Sequence, residues 1–344
     1  LSGIFTSNTF ASGQGAQWQG MGQQLMSYAV FAKSIRHQDH VLQSLTNIPD
    51  WTLESIINGT STASIQSPNI SQLVCTGLQI ALVDLLRSWS IVPQASVGHS
   101  SGEMAAAYAS GFISAAEAIV VAYCRGCAVS QMSNPREGSM LAVGLPSDLV
   151  RPYLSDLESK VQIAAVNSPS SVTLSGDVIE MNQLQNTFKA EGVFVRKLET
   201  GGMAYHSHHM TAPGVVYEEM LDVALEDIRK IGHGILSDDG TRTTWISSVR
   251  PDKSMATSII TSAYWRRNLT SPVQFSKAIE ILFSERNGPP DVLVEIGPHS
   301  VLRSPLKQIC SQLADAGIKT PVYVSTIKRH DDGMRNVLDL CGNL

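Results

Sequence analysis

The sequence predicts an α/β protein with a small second layer inserted in a large one, and three observations lead there. Strand-length apolar runs alternate with helical periodicities along most of the 344 residues. A glycine-flanked serine, Gly98-His99-Ser100-Ser101-Gly102, stands between an extended run, 94–97, and an alanine-rich helical run, 104–109. From Glu137 the texture changes, and strand, helix, strand, strand, helix, strand follow within about 65 residues, the βαββαβ order of a ferredoxin-like unit. The expected division is therefore a large α/β-hydrolase-like subdomain with a mainly parallel sheet, 1–136 and 202–344, and an inserted ferredoxin-like subdomain, 137–201.

Each element has a local reason. Ile4 to Phe10 reads as the opening strand, although Ser7-Asn8-Thr9 is a poor strand centre. Pro68 at a first helical turn and Leu78, Leu82, Leu85, Leu86 and Trp89 at helical spacing predict a helix from 67 to 89. Ser114-Ala115-Ala116-Glu117 has capping-box spacing and starts a helix to about Met132. In the insert the expected strands are 140–144, 163–166, 172–175 and 193–198, with helices at 147–157 and 180–191. Beyond it, a helix from 276 to 283, a strand from 291 to 296, a helix from 302 to 314 and a strand from 322 to 326 restore the alternation.

Composition excludes several classes. Hydrophobic residues at 43%, charged residues at 16% and a net charge of −5 describe a globular chain with no basic stripe for nucleic acid. No uninterrupted apolar run reaches bilayer length, so no membrane partner is expected. Five scattered cysteines and the lack of a signal-like start point to the cytoplasm. The chain opens on Leu1, from which we expect a segment of a longer polypeptide.

A serine hydroxyl becomes a useful nucleophile when a tight strand-to-helix turn exposes it to a base. Ser100 is the candidate, with the following helix N-terminus aimed at a developing oxyanion. Gly13-Gln14-Gly15 permits close backbone approach, which makes the Gln14 N–H a second oxyanion donor. Met203-Ala204-Tyr205-His206-Ser207-His208-His209 holds three of the nine histidines. Zinc would require further ligands at suitable spacing, and neither His-Glu-x-x-His nor paired Cys-x-x-Cys is present, so a histidine acting as general base is the more economical reading. Arg125 lies in an apolar helical run, where burial is costly unless an anion meets it; an arginine there more commonly turns to solvent or pairs with a structural carboxylate. Cys124 and Cys127 share that helix as packing residues.

Taken in order, the glutamine loop 13–17, Gly-His-Ser-Ser-Gly-Glu at 98–103, Arg125, Ala204-Tyr205-His206-Ser207, the 268–275 segment and Glu295-Ile296-Gly297-Pro298-His299 resemble the malonyl-CoA:acyl carrier protein transacylases. The resemblance covers nearly the whole chain and is nearest to the malonyl acyltransferase domains of fungal highly reducing polyketide synthases. It implies that Ser100 is acylated, that His206 is its base, and that the N–H groups of Gln14 and Ser101 form the oxyanion hole. It implies that Arg125 holds the malonyl carboxylate among substrate-facing His99, Met203, Tyr205, Asn268 and Gln274. Gln274 lies in the segment whose main-chain carbonyl orients the histidine. Tyr205 would crowd the α-methyl of methylmalonyl. No cofactor or metal is expected in the domain; malonyl-CoA is the substrate, and phosphopantetheine arrives on an acyl carrier protein, with a ketosynthase adjoining. Two features depart from the family pattern: residues 7–12 read as an insertion after the first strand, and Met203-Ala204-Tyr205-His206 replaces His-Ala-Phe-His. A serine hydrolase or thioesterase, or an idle carrier-protein docking module, are the rival readings.

Overall fold

The computed structural model describes residues 7–11, 15–131, 138–233, 242–256, 259–284 and 288–343. The chain enters as strand β1 (Ser7–Ala11), followed by helices α1 (Ala29–Gln43), α2 (Leu53–Ile57) and α3 (Pro68–Ser88). Strand β2 (Ala95–Gly98) then leads through a short 3-10 turn, Ser100–Gly102, into α4 (Glu103–Ala109) and α5 (Ala115–Ser130). The insert contributes β3 (Gly138–Val143), α6 (Ser147–Leu154), β4 (Val161–Ser168), β5 (Ser171–Asp177), α7 (Val178–Ala190) and β6 (Val195–Lys197). The chain then returns through α8 (Thr211–Lys230), β7 (Thr244–Ile246), α9 (Ser262–Thr270), α10 (Phe275–Ser284), β8 (Val292–Ile296), α11 (Arg303–Asp315), β9 (Val322–Ser325) and α12 (Gly333–Asn343).

Two sheets result. The larger is parallel throughout, in the order β7-β2-β1-β8-β9. The smaller is antiparallel, in the order β4-β5-β3-β6, which is the ferredoxin-like arrangement. Its own apolar core, including Leu141, Val150, Leu174, Met181 and Phe188, lies against α6 and α7.

The apparent insertion at 7–12 is corrected by β1. Residues 7–11 are the central strand of the parallel sheet, with Thr9 level with Ser96 on one side and Val294 on the other. Pairing on both edges fixes the backbone whatever the propensity of Ser7-Asn8-Thr9, because sheet context outweighs intrinsic preference. Residues 4–6 and Ser12 lie outside the described residues, so the expected strand start at Ile4 does too.

Helix α3 is long and apolar enough, by length and composition, to cross a bilayer, yet 89% of its most apolar window is buried within the protein. It packs between α1 and α5 as core. The small sheet is tied to the segment between α9 and α10: the Val273 N–H donates to the Ala164 carbonyl and the Val166 N–H to the Val273 carbonyl, each at 2.8 Å. Ala164 and Ala165 of the clipped strand line the same cavity as His99 and Ser100, which follow β2.

Candidate active site

The end of β2 and the start of α4 come so close that a Cβ on Gly98 would lie 2.3 Å from the Glu103 nitrogen. Only glycine fits there. The strain of the turn falls instead on Ser100, whose φ of 55° is left-handed. A non-glycine residue held so costs on the order of 1–3 kcal/mol, and such residues cluster at functional sites. This is the strand-to-helix elbow expected for an exposed serine nucleophile. The His99 N–H donates to the Ala11 carbonyl at 3.0 Å, tying the elbow to the end of β1.

Ser100 Oγ lies 2.6 Å from His206 Nε2, across 106 residues of chain. His206 Nδ1 lies 2.9 Å from the Ser271 carbonyl oxygen. A carbonyl can only accept, so Nδ1 carries the ring proton and the Nε2 lone pair faces the serine hydroxyl. Burial, then the neighbouring Arg125 charge, lower the His206 pKa to about 3, against a weaker opposing effect of the Ser271 bond. The imidazole is thus neutral and able to take a proton.

The orienting carbonyl is that of Ser271, inside the 268–275 segment expected to supply it, whereas Gln274 of the same segment does not line the cavity. Gln274 instead donates its N–H to the Ser248 carbonyl at 2.7 Å, and its own carbonyl accepts from Ala278 at the start of α10. Pro272 and Val273 turn the chain between the two positions.

Arg125 is 1% exposed. Its Nη2 donates to Ser100 Oγ at 3.3 Å and its Nη1 to Asn268 Oδ1, so both named partners are neutral. Its Nε is buried without a hydrogen-bond partner among the described residues. Burial lowers its pKa, with Tyr217, Tyr205 and Glu103 opposing, but a guanidinium stays charged at any pH the protein meets. Arg125 therefore does not turn to solvent and, among the described residues, forms no direct pair with a structural carboxylate, the two commoner outcomes for such a residue.

Asn268, fully buried, is a hub and not part of the cavity wall. It accepts from Arg125 and donates to the Ser100 carbonyl and to Glu103 Oε2, each at 3.1 Å. Glu103 Oε2 also accepts from Tyr264 at 2.5 Å, and Oε1 from the Ser248 N–H and hydroxyl. Burial raises the Glu103 pKa while these donors pull it back. Glu103, Ser271 and Tyr264 were not among the expected site residues. Glu103 stands inside the serine motif and offered a signal; a backbone carbonyl at 271 offered none.

The cavity at Ser100 holds about 430 Å³ and is lined in part by Gly15, Gln72, His99, Arg125, Met140 and Tyr205. Tyr205 accepts from Gln72 Nε2 at 3.3 Å. His99 Nε2 meets Asn167 Oδ1 at 2.8 Å, and burial lowers its pKa. The Ser101 backbone stands in the first turn after the elbow, where N–H groups have no carbonyl behind them in the helix. Met203 does not line the cavity: its carbonyl accepts from the Thr200 hydroxyl at 2.6 Å and its side chain packs on the main core. Gln14 lies outside the described residues, although Gly15 beside it reaches the cavity.

The family model of the acyl transferase domain matches residues 10–343. A polyketide synthase-like protein of Preussia isomera, Preu9, is 51% identical over 341 residues, covering 97% of this chain and 15% of that protein. The highly reducing polyketide synthase xilA of Penicillium rubens is 46% identical over 336 residues, covering 97% of this chain and 13% of that protein. The chain thus spans about a seventh of the length of these relatives. Among solved structures, a loading acyltransferase from the avermectin modular polyketide synthase superposes with a TM-score of 0.83 at 26% identity, over 98% of this chain and 99% of that one. A Streptococcus pneumoniae MCAT shares the fold, with a TM-score of 0.75 at 19% identity over 98% of this chain and all of that one. On the match across 10–343 and the fold it shares with these structures, the chain belongs to the acyl transferase domain family.

Proposed function

We propose that the domain moves a malonyl group from malonyl-CoA to the phosphopantetheine thiol of an acyl carrier protein, as the loading step of a cytoplasmic polyketide synthase in which a ketosynthase adjoins it. The observation that carries this reading is the buried Arg125 guanidinium, 3.3 Å from the Ser100 hydroxyl at the wall of the same cavity, whose hydrogen-bond partners among the described residues, Ser100 and Asn268, are neutral. A guanidinium so placed can grip a carboxylate through two parallel charge-assisted hydrogen bonds. A thioester bearing a terminal carboxylate then has its carbonyl carbon near Ser100 Oγ. The cavity of about 430 Å³ suits an acyl group of that size together with the thiol end of its carrier.

In the first half-reaction Ser100 Oγ attacks the thioester carbonyl while His206 Nε2 takes the hydroxyl proton. The tetrahedral oxyanion is met by the Ser101 N–H and, as the family resemblance implies, by that of Gln14. The C–S bond breaks, His206 returns its proton to the leaving CoA thiolate, and malonyl-Ser100 remains. In the second half-reaction the pantetheine thiol gives its proton to His206, attacks the ester carbon, and displaces Ser100, which recovers the proton. The Ser271 carbonyl holds Nδ1–H through both halves, so no acidic third member is required.

Incubating the intact protein with malonyl-, methylmalonyl- and acetyl-CoA in competition tests the reading by mass. Malonyl adducts that persist on the parent protein and are missing in Ser100→Ala support transfer. Rapid release of free malonate indicates a hydrolase, and an unlabelled protein indicates a docking module.

A further inference from the structure

His208 and His209 take no part in the chemistry above, although only Ser207 separates them from His206. The fold brings them to the end of β5, where Asp177 Oδ1 lies 2.6 Å from His209 Nε2 and 3.0 Å from His208 Nε2. The two rings stand 4.5 Å apart, and the three ligand atoms all lie within 4.8 Å of one another.

As a hydrogen-bond cluster this arrangement is incompletely satisfied. Two imidazoles converge on one carboxylate oxygen, and the Nδ1 atom of His208 is buried with no partner among the described residues. Two N–H groups aimed at one oxygen occupy the positions around which a single cation could gather the same three atoms. The identity and softness of the donors, two neutral imidazoles and one carboxylate, suit zinc and its neighbours better than calcium or magnesium. Zinc bonds to such atoms are about 2.0–2.2 Å long, which puts neighbouring ligands on a tetrahedron about 3.3 Å apart. The spacings of 2.6 and 3.0 Å to Asp177 Oδ1 fall a little short of that, and the two imidazole nitrogens lie within 4.8 Å of each other. Access is also suitable: the side chain of His209 is 1% exposed, but those of His208 and Asp177 are 23% and 30% exposed, leaving a way in for the ion and room for a water ligand.

We propose that Asp177, His208 and His209 form a binding site for a divalent transition cation of the zinc type, bridging the small sheet to the segment that carries His206. The sequence alone pointed away from metal because the third ligand is 31 residues before His208 and in another layer of the fold. A cation there fixes the turn at 208–210, two residues from the His206 ring, against the end of β5.

Equilibrium dialysis of the purified protein against ZnCl2 tests this, with thermal unfolding read in ZnCl2 and in EDTA. The expected result is one Zn²⁺ per chain, a higher unfolding temperature in ZnCl2, and visible absorption when Co²⁺ replaces it. Asp177→Asn keeps an oxygen that accepts both imidazole N–H groups but lacks the charge a metal wants, so its affinity should fall by about tenfold or more while its EDTA unfolding temperature stays near the parent value. His208→Gln, at a partly exposed position, should lose the ion in the same way and decides the matter if Asp177→Asn folds poorly. Failure of the parent to bind stoichiometric zinc, or equal binding by the folded variants, would overturn the proposal. Neither result bears on acyl transfer, which the labelling experiment reads separately.

Discussion

Arg125 and Asn268 act as a unit at the residue scale. The amide receives the guanidinium on one side and binds the Ser100 carbonyl and Glu103 on the other, so the cation, the nucleophile's backbone and a buried carboxylate share one support. Charge-assisted hydrogen bonds contribute about 1.5–3 kcal/mol each. Arg125→Ala should therefore lower malonyl loading by about 10- to 100-fold in kcat/KM while acetyl loading changes little. Equal losses for both acyl groups in steady-state assays would remove Arg125 from the carboxylate role. Asn268→Ala should cost about 1–3 kcal/mol in denaturant unfolding because it leaves buried polar partners unmade, and it should slow acyl loading as well. Much of this was legible from residue type: a cation in an apolar run needs an explanation, and Ser100 and His206 announce their chemistry. The role of Asn268 was not legible, since an amide can serve a ligand or its neighbours equally well and only contact decides.

The helices differ in how openly the sequence announces them. Helix α5, which carries Arg125, opens with a complete capping box: the Glu117 N–H donates to Ser114 Oγ at 3.1 Å and the Ser114 N–H to Glu117 Oε2 at 2.9 Å. That spacing was readable directly. Ser114→Ala should destabilise the fold by about 0.5–2 kcal/mol, seen as a lower thermal midpoint, with the activity of the remaining folded protein little changed. Helices α8 and α9 were harder to foresee. Pro213 and Gly214 sit in the first turn of α8 and read as breakers, although a proline near a helix start loses no bond. Helix α9, Ser262–Thr270, carries two arginines and little apolar periodicity, and is held by burying Tyr264, Trp265, Asn268 and Leu269. The last of these contacts depend on the neighbouring layers, so propensity understates them.

At the scale of the whole molecule, Glu295 joins the sheet to its surroundings. It is fully buried in β8, accepts from the Tyr323 hydroxyl of β9, and accepts from the Leu302 N–H at 3.2 Å just before α11. Burial pushes its pKa up to about 7, with the Tyr323 and backbone bonds opposing. An unfolded carboxyl ionises near 4.5. Between these values the folded state holds the extra proton, so this group's contribution to stability falls as pH rises from 4.5 to 7 and is constant above. Glu295→Gln removes the titration. Unfolding curves across pH should show the variant gaining on the parent through that window, by about 3 kcal/mol at most, and then running parallel. A constant difference at all pH values would show that Glu295 does not carry the proton. By itself the sequence determined the alternating α/β order, the βαββαβ insert, the serine elbow and the kinds of residue that do the chemistry, because periodicity, capping and turn geometry are written in neighbouring residues. Only the tertiary structure decided that residues 7–11 form the central strand, which carbonyl of the 268–275 segment steadies His206, that Met203 faces the core, and that Asp177 meets His208 and His209. Those facts depend on how separate layers stack and on backbone groups common to every residue, and neither leaves a mark on the local order of side chains.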